Sequence, residues 1–234
     1  PESSGQRCLW AAGLVMTRYL EAIFASTYVD SSSGEIVVNR RASLHNSNVL
    51  ELGCGAGLPA IYCHMILQAK NVYASEQSSC LGYVKDNMHL NRENINCHPD
   101  ISQLHTKELE WGDILESTST RHSNTSEPLK FDVILGCDIT FNIQLLDVLL
   151  YTIKHSLALD GYCLLCHDEE SCPFNKVKNI FQIICNKCKE MGLICTFLEN
   201  YYVMIPDAFQ KESVKLWRLE WDKTCSDSSS LSDS

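Results

Sequence analysis

The residues best suited to chemistry lie in Val49-Leu50-Glu51-Leu52-Gly53-Cys54-Gly55-Ala56-Gly57. Three glycines at alternate positions end one apolar run and open the next. Such a turn lets backbone approach a ligand closely, and the helix that follows presents its N-terminus. A dinucleotide turn requires G-x-G-x-x-G, but the sixth position counted from Gly53 is Leu58. The pattern present is E-x-G-x-G-x-G. A pyrophosphate needs the helix dipole, whereas S-adenosylmethionine has no phosphate and needs only room for its amino-acid portion. The turn therefore favours S-adenosylmethionine over NAD, with a ligand-free strand-to-helix turn as the competing reading. Glu76 lies twenty-three residues beyond Gly53, at the end of the next apolar run. An acidic side chain at about that offset suits a bidentate grip on ribose hydroxyls. Asp138 follows the apolar run Phe131–Cys137. Ligands of open α/β sheets bind at the carboxyl ends of strands, so Asp138 is expected to face the site. Its plainer role would be an N-cap for the next segment.

Cysteine is the other chemically loaded residue type. There are thirteen, an odd number, scattered through apolar stretches. Cys163-Leu164-Leu165-Cys166 and Cys185-Asn186-Lys187-Cys188 are separated by eighteen residues, a spacing seen in four-cysteine zinc sites. The first pair reads as a buried strand, in which residues three apart point to opposite faces. The second lies in a helical pattern, and neither has a turn that would bring thiolates together. We expect reduced thiols acting as small hydrophobes, and no metal.

These residues need a scaffold. The expected order is a helix over Cys8 to Ser26 and a turn over Asp30 to Gly34. A strand over Ser47 to Leu52, a helix over Leu58 to Gln68, a strand over Asn71 to Ser75 and a helix over Cys80 to Leu90 follow. Next come a weak strand over Gln103 to Leu109, a Ser/Thr-rich surface loop over 117–128 and a strand over Phe131 to Cys137. After a helix over Leu145 to Leu157 and a turn at Asp160-Gly161, the pattern continues with a strand over Tyr162 to His167 and a helix over Phe174 to Met191. Strands over Leu193 to Ile205 and Val214 to Trp221, joined at Pro206-Asp207, lead to a polar acidic tail over 226–234, expected to be disordered. Alternating strands and helices imply an α/β, Rossmann-like, mostly parallel sheet with helices on both faces. The two late strands follow one another without a helix, so an antiparallel hairpin should close one edge. One domain over 1–225 is expected.

Composition narrows the function. Hydrophobic residues make up 45% of the 234, enough for a full core. No apolar run approaches the ~20 residues that span a bilayer, so no membrane is expected. Nineteen basic and twenty-nine acidic residues give a net charge of −10. Nucleic-acid binders draw much of their affinity from a basic excess, so no nucleic-acid partner is expected. A neutral or cationic partner, such as a lysine-bearing protein surface, fits better. The polar Pro1-Glu2-Ser3-Ser4-Gly5 is unlike a secretion signal, and an opening Pro rather than Met suggests a preceding segment.

Taken together, the chain resembles the seven-strand protein-lysine methyltransferases of methyltransferase family 16, of the methyltransferase-like 21 type. The resemblance rests on Leu9-Trp10-Ala11-Ala12 with Arg18-Tyr19-Leu20, on Leu50 to Pro59, on Asn87-Met88-His89-Leu90-Asn91, on Leu109-Glu110-Trp111-Gly112, and on Asp132 to Asp138. It covers about Trp10 to Trp221. It implies S-adenosyl-L-methionine as cofactor, with Trp10 over its methionine end. Gly53, Cys54, Gly55 and Cys137 would contact it through backbone, Glu76 would hold the ribose, and Trp111 would flank the adenine unless it is a core tryptophan. Asp138 would face the substrate amine. The family carries Asp-x-x-Tyr at this point and this chain has Phe141, which removes a hydroxyl and offers an aromatic face. His167 to Glu170 would form an acidic rim or a solvated loop. The implied activity is methyl transfer to a protein nitrogen, a lysine ε-amine first, by a monomer in the cytoplasm, with the nucleus left open. Two alternatives stand beside it: a small-molecule N- or O-methyltransferase, and a non-catalytic cofactor-binding module.

Overall fold

A computed structural model of the chain describes residues 11–24, 26–29, 36–39, 44–94, 104–116, 127–168, 180–205 and 210–224. Helix α1 (Ala11–Phe24) leads into a small antiparallel hairpin, β1 (Ser26–Val29) and β2 (Ile36–Asn39). Then come β3 (Asn48–Leu52), α2 (Leu58–Met65), β4 (Asn71–Glu76), α3 (Leu81–Asn94), β5 (Leu104–Glu108) and β6 (Phe131–Cys137). A 3-10 turn (Ile143–Leu145) runs into α4 (Leu146–Ser156), followed by β7 (Leu157–Asp168), α5 (Ile180–Glu190), β8 (Leu193–Ile205) and β9 (Gln210–Trp221).

Seven strands form one sheet in the order β5-β4-β3-β6-β7-β9-β8. Pairings from β5 through β7 are parallel, and β9 is antiparallel to both neighbours. The chain winds outward from β3 through β4 to β5, then crosses back to place β6 on the other side of β3. Strand order thus reverses between β3 and β6, the position where an open α/β sheet has its crevice. The central strands are apolar along their length because both their faces are covered: Val49, Leu50 and Leu52 on β3 and Val133, Ile134 and Leu135 on β6 are all buried. One core contains α1, α2 and α3 side chains such as Met16, Ile61 and Val84. The other contains Leu149, Leu150 and Ile153 of α4 and Ile184 of α5. The result is a three-layer α/β/α arrangement. Among the described residues no helix is long and apolar enough to cross a membrane.

The fold class is the expected one, and several boundaries differ for physical reasons. The leading helix ends at Phe24 and Ser26 already belongs to β1, part of a hairpin that the apolar pattern does not signal. Helix α2 stops at Met65 rather than Gln68. Gln68 takes a left-handed φ of 55°, and the Ala69 N–H closes back on the Cys63 carbonyl at 3.0 Å, a helix-terminating arrangement usually built on glycine. Helix α3 runs on past Leu90 to Asn94, so Asn87 to Asn91 lie inside it rather than at its end. Asp160-Gly161 is not a turn between elements but sits within β7, at a register shift between Phe131 and Val133. The expected turn chemistry appears as a bulge. The expected 30–34 turn, the Pro206-Asp207 turn, the 226–234 tail, most of the Ser/Thr-rich loop and the start of the Phe174 helix lie outside the described residues.

Candidate active site

The crevice is built from the carboxyl ends of three adjacent strands. After β3 the chain turns through Gly53, Gly55 and Gly57, with φ of 59°, 50° and 76°. All three are left-handed, which glycine adopts without strain. At Gly53 the requirement is also one of space: a Cβ there would lie 2.8 Å from Ile139 Cγ2 and 3.7 Å from Trp111 Cζ2. At Gly55 a Cβ would meet no described residue within 4 Å. The turn is held from several sides. Cys54 N–H donates to the Ser75 carbonyl at 3.0 Å, and Gly57 N–H to the Cys54 carbonyl at 2.7 Å. Asn87 of α3 donates to the Ala56 carbonyl at 3.0 Å.

Glu51, the acidic residue of the motif, is buried inside β3. Its Oε2 accepts from the Ala60 N–H at 2.8 Å. Gly57 offers α2 no side-chain cap, and Glu51 satisfies an N-terminal N–H from a neighbouring strand. Burial pushes its carboxyl up to about 8; the Ala60 N–H opposes this and the charge of Glu76 adds to it. Its role follows from packing, and the only hint in the sequence is a charged residue inside an apolar run.

Glu76 ends β4 beside the turn. Its Oε1 accepts from Gly55 N–H at 3.2 Å and its Oε2 from Gln77 N–H at 2.7 Å. These bonds aim the carboxylate along the rim, and each oxygen keeps a further lone pair for a hydroxyl. Trp111 is half-buried against the α4-side core. The next residue, Gly112, donates to Thr152 Oγ1 of α4 at 2.8 Å, anchoring the segment. A carboxylate, a glycine turn and an indole edge thus converge, as a nucleoside bearing an amino-acid arm requires. Trp10 lies outside the described residues. Cys54 is buried and Cys137 half-buried at the end of β6, and burial raises both thiols.

Asp138 follows β6 with a left-handed φ of 55°. Its N–H donates to the Cys166 carbonyl at 2.9 Å and its Oδ1 accepts from the Asp168 N–H at 2.7 Å. Its Oδ2 is buried and has no hydrogen-bond partner. Burial raises its carboxyl to about 7; the Asp168 N–H opposes this and the Asp168 carboxylate adds to it. The N-cap of the following 3-10 turn is Asn142, which accepts from the Gln144 N–H at 3.0 Å, so the capping role falls to a different residue. Asp168 is 1% exposed and is no part of a solvated rim. His167 is buried as well, 3.1 Å from Thr140 Oγ1 and stacked on Trp217. The sequence marks His167 to Glu170 only as an acidic run, of which Glu169 and Glu170 lie outside the described residues, and it is strand pairing that brings His167 and Asp168 to the Asp138 segment. Phe141 is partly exposed three residues on.

A cavity of about 540 Å³ adjoins the Trp111 segment, lined by residues including Glu108, Glu110, Asp113 and Glu116. The two C-x-x-C pairs do not converge. Cys163 packs in the α4-side core and Cys166 in the α1-side core. Cys185 Sγ instead donates to the Cys195 carbonyl at 3.7 Å.

A family model described as lysine methyltransferase matches residues 2–184. The protein-lysine N-methyltransferase EFM3 of Chaetomium thermophilum is 30% identical over 127 residues, covering 54% of this chain and 36% of that protein. The protein N-lysine methyltransferase METTL21A of Xenopus tropicalis is 28% identical over 157 residues, covering 67% of this chain and 58% of that one. The matches to these two relatives therefore span between about a third and three-fifths of their lengths. Among solved structures, PKMT2 from Rickettsia typhi in complex with AdoHcy aligns with a TM-score of 0.51 at 11% identity, over 79% of this chain and 50% of that one. The B. subtilis tRNA methyltransferase TrmK aligns with a TM-score of 0.51 at 11% identity, over 97% and 73%. At such identities the two structures share the fold alone.

Proposed function

The chain belongs to the lysine methyltransferase family, and from that premise we propose that it transfers a methyl group from S-adenosylmethionine to the ε-amine of a lysine in a protein. The observation that carries this reading is the assembly across the β3/β6 crevice. The Gly53–Gly57 turn and Glu76 stand on one side, and Asp138, with one buried oxygen lacking a partner, stands on the other.

When bound, S-adenosylmethionine supplies a methyl group on a positively charged sulfur, an excellent leaving group. The chain's own residues then have two tasks. The first is placement. Glu76 would hold the ribose hydroxyls, the Gly53-Cys54-Gly55 backbone would leave room for the amino-acid arm, and Trp111 would flank the base. In-line alignment of nucleophile and methyl accounts for most of the rate gain expected of such an enzyme. The second task is the proton. A lysine arrives as an ammonium and must lose a proton to become nucleophilic. An ordinary carboxylate is too weak a base, but Asp138, raised to about 7, is matched to a proton transfer near neutral pH. Phe141 offers a ring face to the cation before that transfer. The acid-lined cavity beside Trp111 favours a basic protein segment over a small apolar molecule. We place the protein in the cytoplasm, with the nucleus open, which suits free thiols.

The test is incubation with isotopically labelled S-adenosylmethionine and a cell lysate, followed by mass spectrometry. Wild type should label lysine in a protein. Asp138→Ala should lose at least about a hundredfold in turnover while binding the cofactor almost as wild type does, since its carboxylate acts on the amine. Cofactor binding without any transfer would leave only the non-catalytic module; labelling of small molecules alone would favour the small-molecule enzyme.

A further inference from the structure

We propose that the outer face of α4, with the acidic segment that follows β5, is the track on which the substrate protein docks, through a segment both apolar and lysine-rich. The inference rests on the protein-lysine reading and adds how the protein is held.

The track begins at the crevice. Phe141, three residues beyond Asp138, is 36% exposed, and Leu145, Val148 and Tyr151 follow at 40%, 38% and 44%. Spacings of three set the last three in one row along α4 and the turn that opens it. The other side of α4, with Leu146, Leu149, Leu150 and Ile153, is packed in the core. Single exposed apolar residues are ordinary, but a row of them rimmed by polar groups marks a protein contact. From Leu145 to Tyr151 the row is about 9 Å long, the reach of about three residues of extended chain. The Tyr151 ring already stacks on His155 with centroids 3.9 Å apart, so covering it costs little side-chain freedom.

Charge decides what covers the row. Thr152 Oγ1 of α4 accepts from the Gly112 N–H at 2.8 Å and donates to the Asp113 carbonyl at 3.0 Å, strapping the segment after β5 along the helix. A Cβ at Gly112 would lie 3.8 Å from Val148 Cβ, so the row and the cavity that Gly112 lines share an edge. Glu108, Glu110 and Asp113 line that cavity and are exposed. Glu110 accepts from the neutral Gln77 amide at 3.2 Å, which does not cancel its charge. Lysines on this side are turned to other groups. Lys187 pairs with Asp147, Lys130 donates to the His155 carbonyl at 2.7 Å, and Lys154 lies over the Trp221 ring. On β5, Lys107 alternates with Glu108 and points to the other face. An anionic membrane or a nucleic acid would be repelled by these acids, and a second copy of this chain would set acid against acid. A lysine-rich protein segment with apolar side chains satisfies both halves, and its target lysine passes Phe141 to reach Asp138.

The probe is a short fluorescein-labelled peptide of alternating leucine and lysine, followed by anisotropy with the full chain. It should bind wild type, and a leucine–glutamate peptide should not. Val148→Ser combined with Tyr151→Ser should weaken binding about tenfold while the melting temperature and the Kd for S-adenosylmethionine stay at wild-type values. Tyr151→Ser alone, at the most exposed position of the row, serves if the double variant does not fold. Glu110→Gln with Asp113→Asn should weaken binding several-fold at low salt, and the difference should close at high salt. With the protein substrate found by isotopic labelling, the double serine variant should raise KM several-fold and keep kcat. Equal peptide binding by wild type and the serine variants, binding of the glutamate peptide, or an unchanged KM would overturn the proposal. So would a dimer in gel filtration that the serine variants abolish, since the face would then belong to a second copy. If wild type methylates nothing, the proposed function fails, while the peptide measurements still decide whether the track exists.

Discussion

Two carboxylates, Glu76 and Asp138, end neighbouring parts of the same sheet edge and differ in what surrounds them. Glu76 accepts two backbone N–H groups at an accessible rim. Asp138 accepts one and has an oxygen sealed from water. The first environment suits an acceptor for hydroxyls, and the second suits a group that exchanges a proton. Glu76→Ala should therefore act on the cofactor. Two ribose hydroxyls lose a charged acceptor and the Gly55 N–H loses its partner, for about 2 kcal/mol, or about thirtyfold in Kd. Isothermal calorimetry with S-adenosylmethionine measures this directly; an unchanged Kd in the folded variant would remove Glu76 from the site.

The elements that carry these residues depend on close backbone approaches. Within β7, the bulge at Gly161 brings three carbonyl oxygens around the place a Cβ would occupy: those of Phe131 at 2.8 Å, Asp132 at 2.9 Å and Ala158 at 3.2 Å. Backbone of paired strands cannot give way as a side-chain tip can. Gly161→Ala should cost about 1–3 kcal/mol and lower the melting temperature by several degrees. Gly13 makes the opposite case. It lies inside α1, and a Cβ there would meet no described residue within 4 Å. Gly13→Ala should leave stability unchanged or raise it by up to about 1 kcal/mol through helix propensity. Thermal unfolding of the two variants side by side checks the sign of each; equal effects would contradict the packing described.

At the scale of the whole molecule, burial holds two carboxyl groups among the described residues above their ordinary values, Glu51 from 4.5 to about 8 and Asp138 from 3.8 to about 7. A group with a raised folded-state value stabilises the fold fully below its unfolded value, and that stability is lost as pH rises through the folded value. Global stability should therefore decline between about pH 5 and 8 rather than plateau, as far as these two groups control it. Glu51→Gln, which keeps an acceptor for the Ala60 N–H, should flatten the decline. Urea denaturation at a series of pH values is the measurement, and a wild-type profile that rises over this range would contradict the burial of Glu51.

Local chemistry made much of this legible in advance. The three glycines are read from conformational freedom alone, and Glu76 and Asp138 from their offsets to apolar runs, because a strand's carboxyl end is where an open α/β sheet binds ligands. Period-two alternation placed Cys163 and Cys166 on opposite faces, and their packing in different cores follows the same rule. What the amino-acid order could not express depends on strands distant in the chain. Glu51 caps a helix because β3 passes beside its N-terminus, Gly161 becomes a bulge because β6 lies against it, and Asp168 meets Asp138 because β6 and β7 pair in one register. These contacts are long-range in sequence, and burial, which sets the proton affinities of Glu51 and Asp138, exists only once the layers close over the sheet.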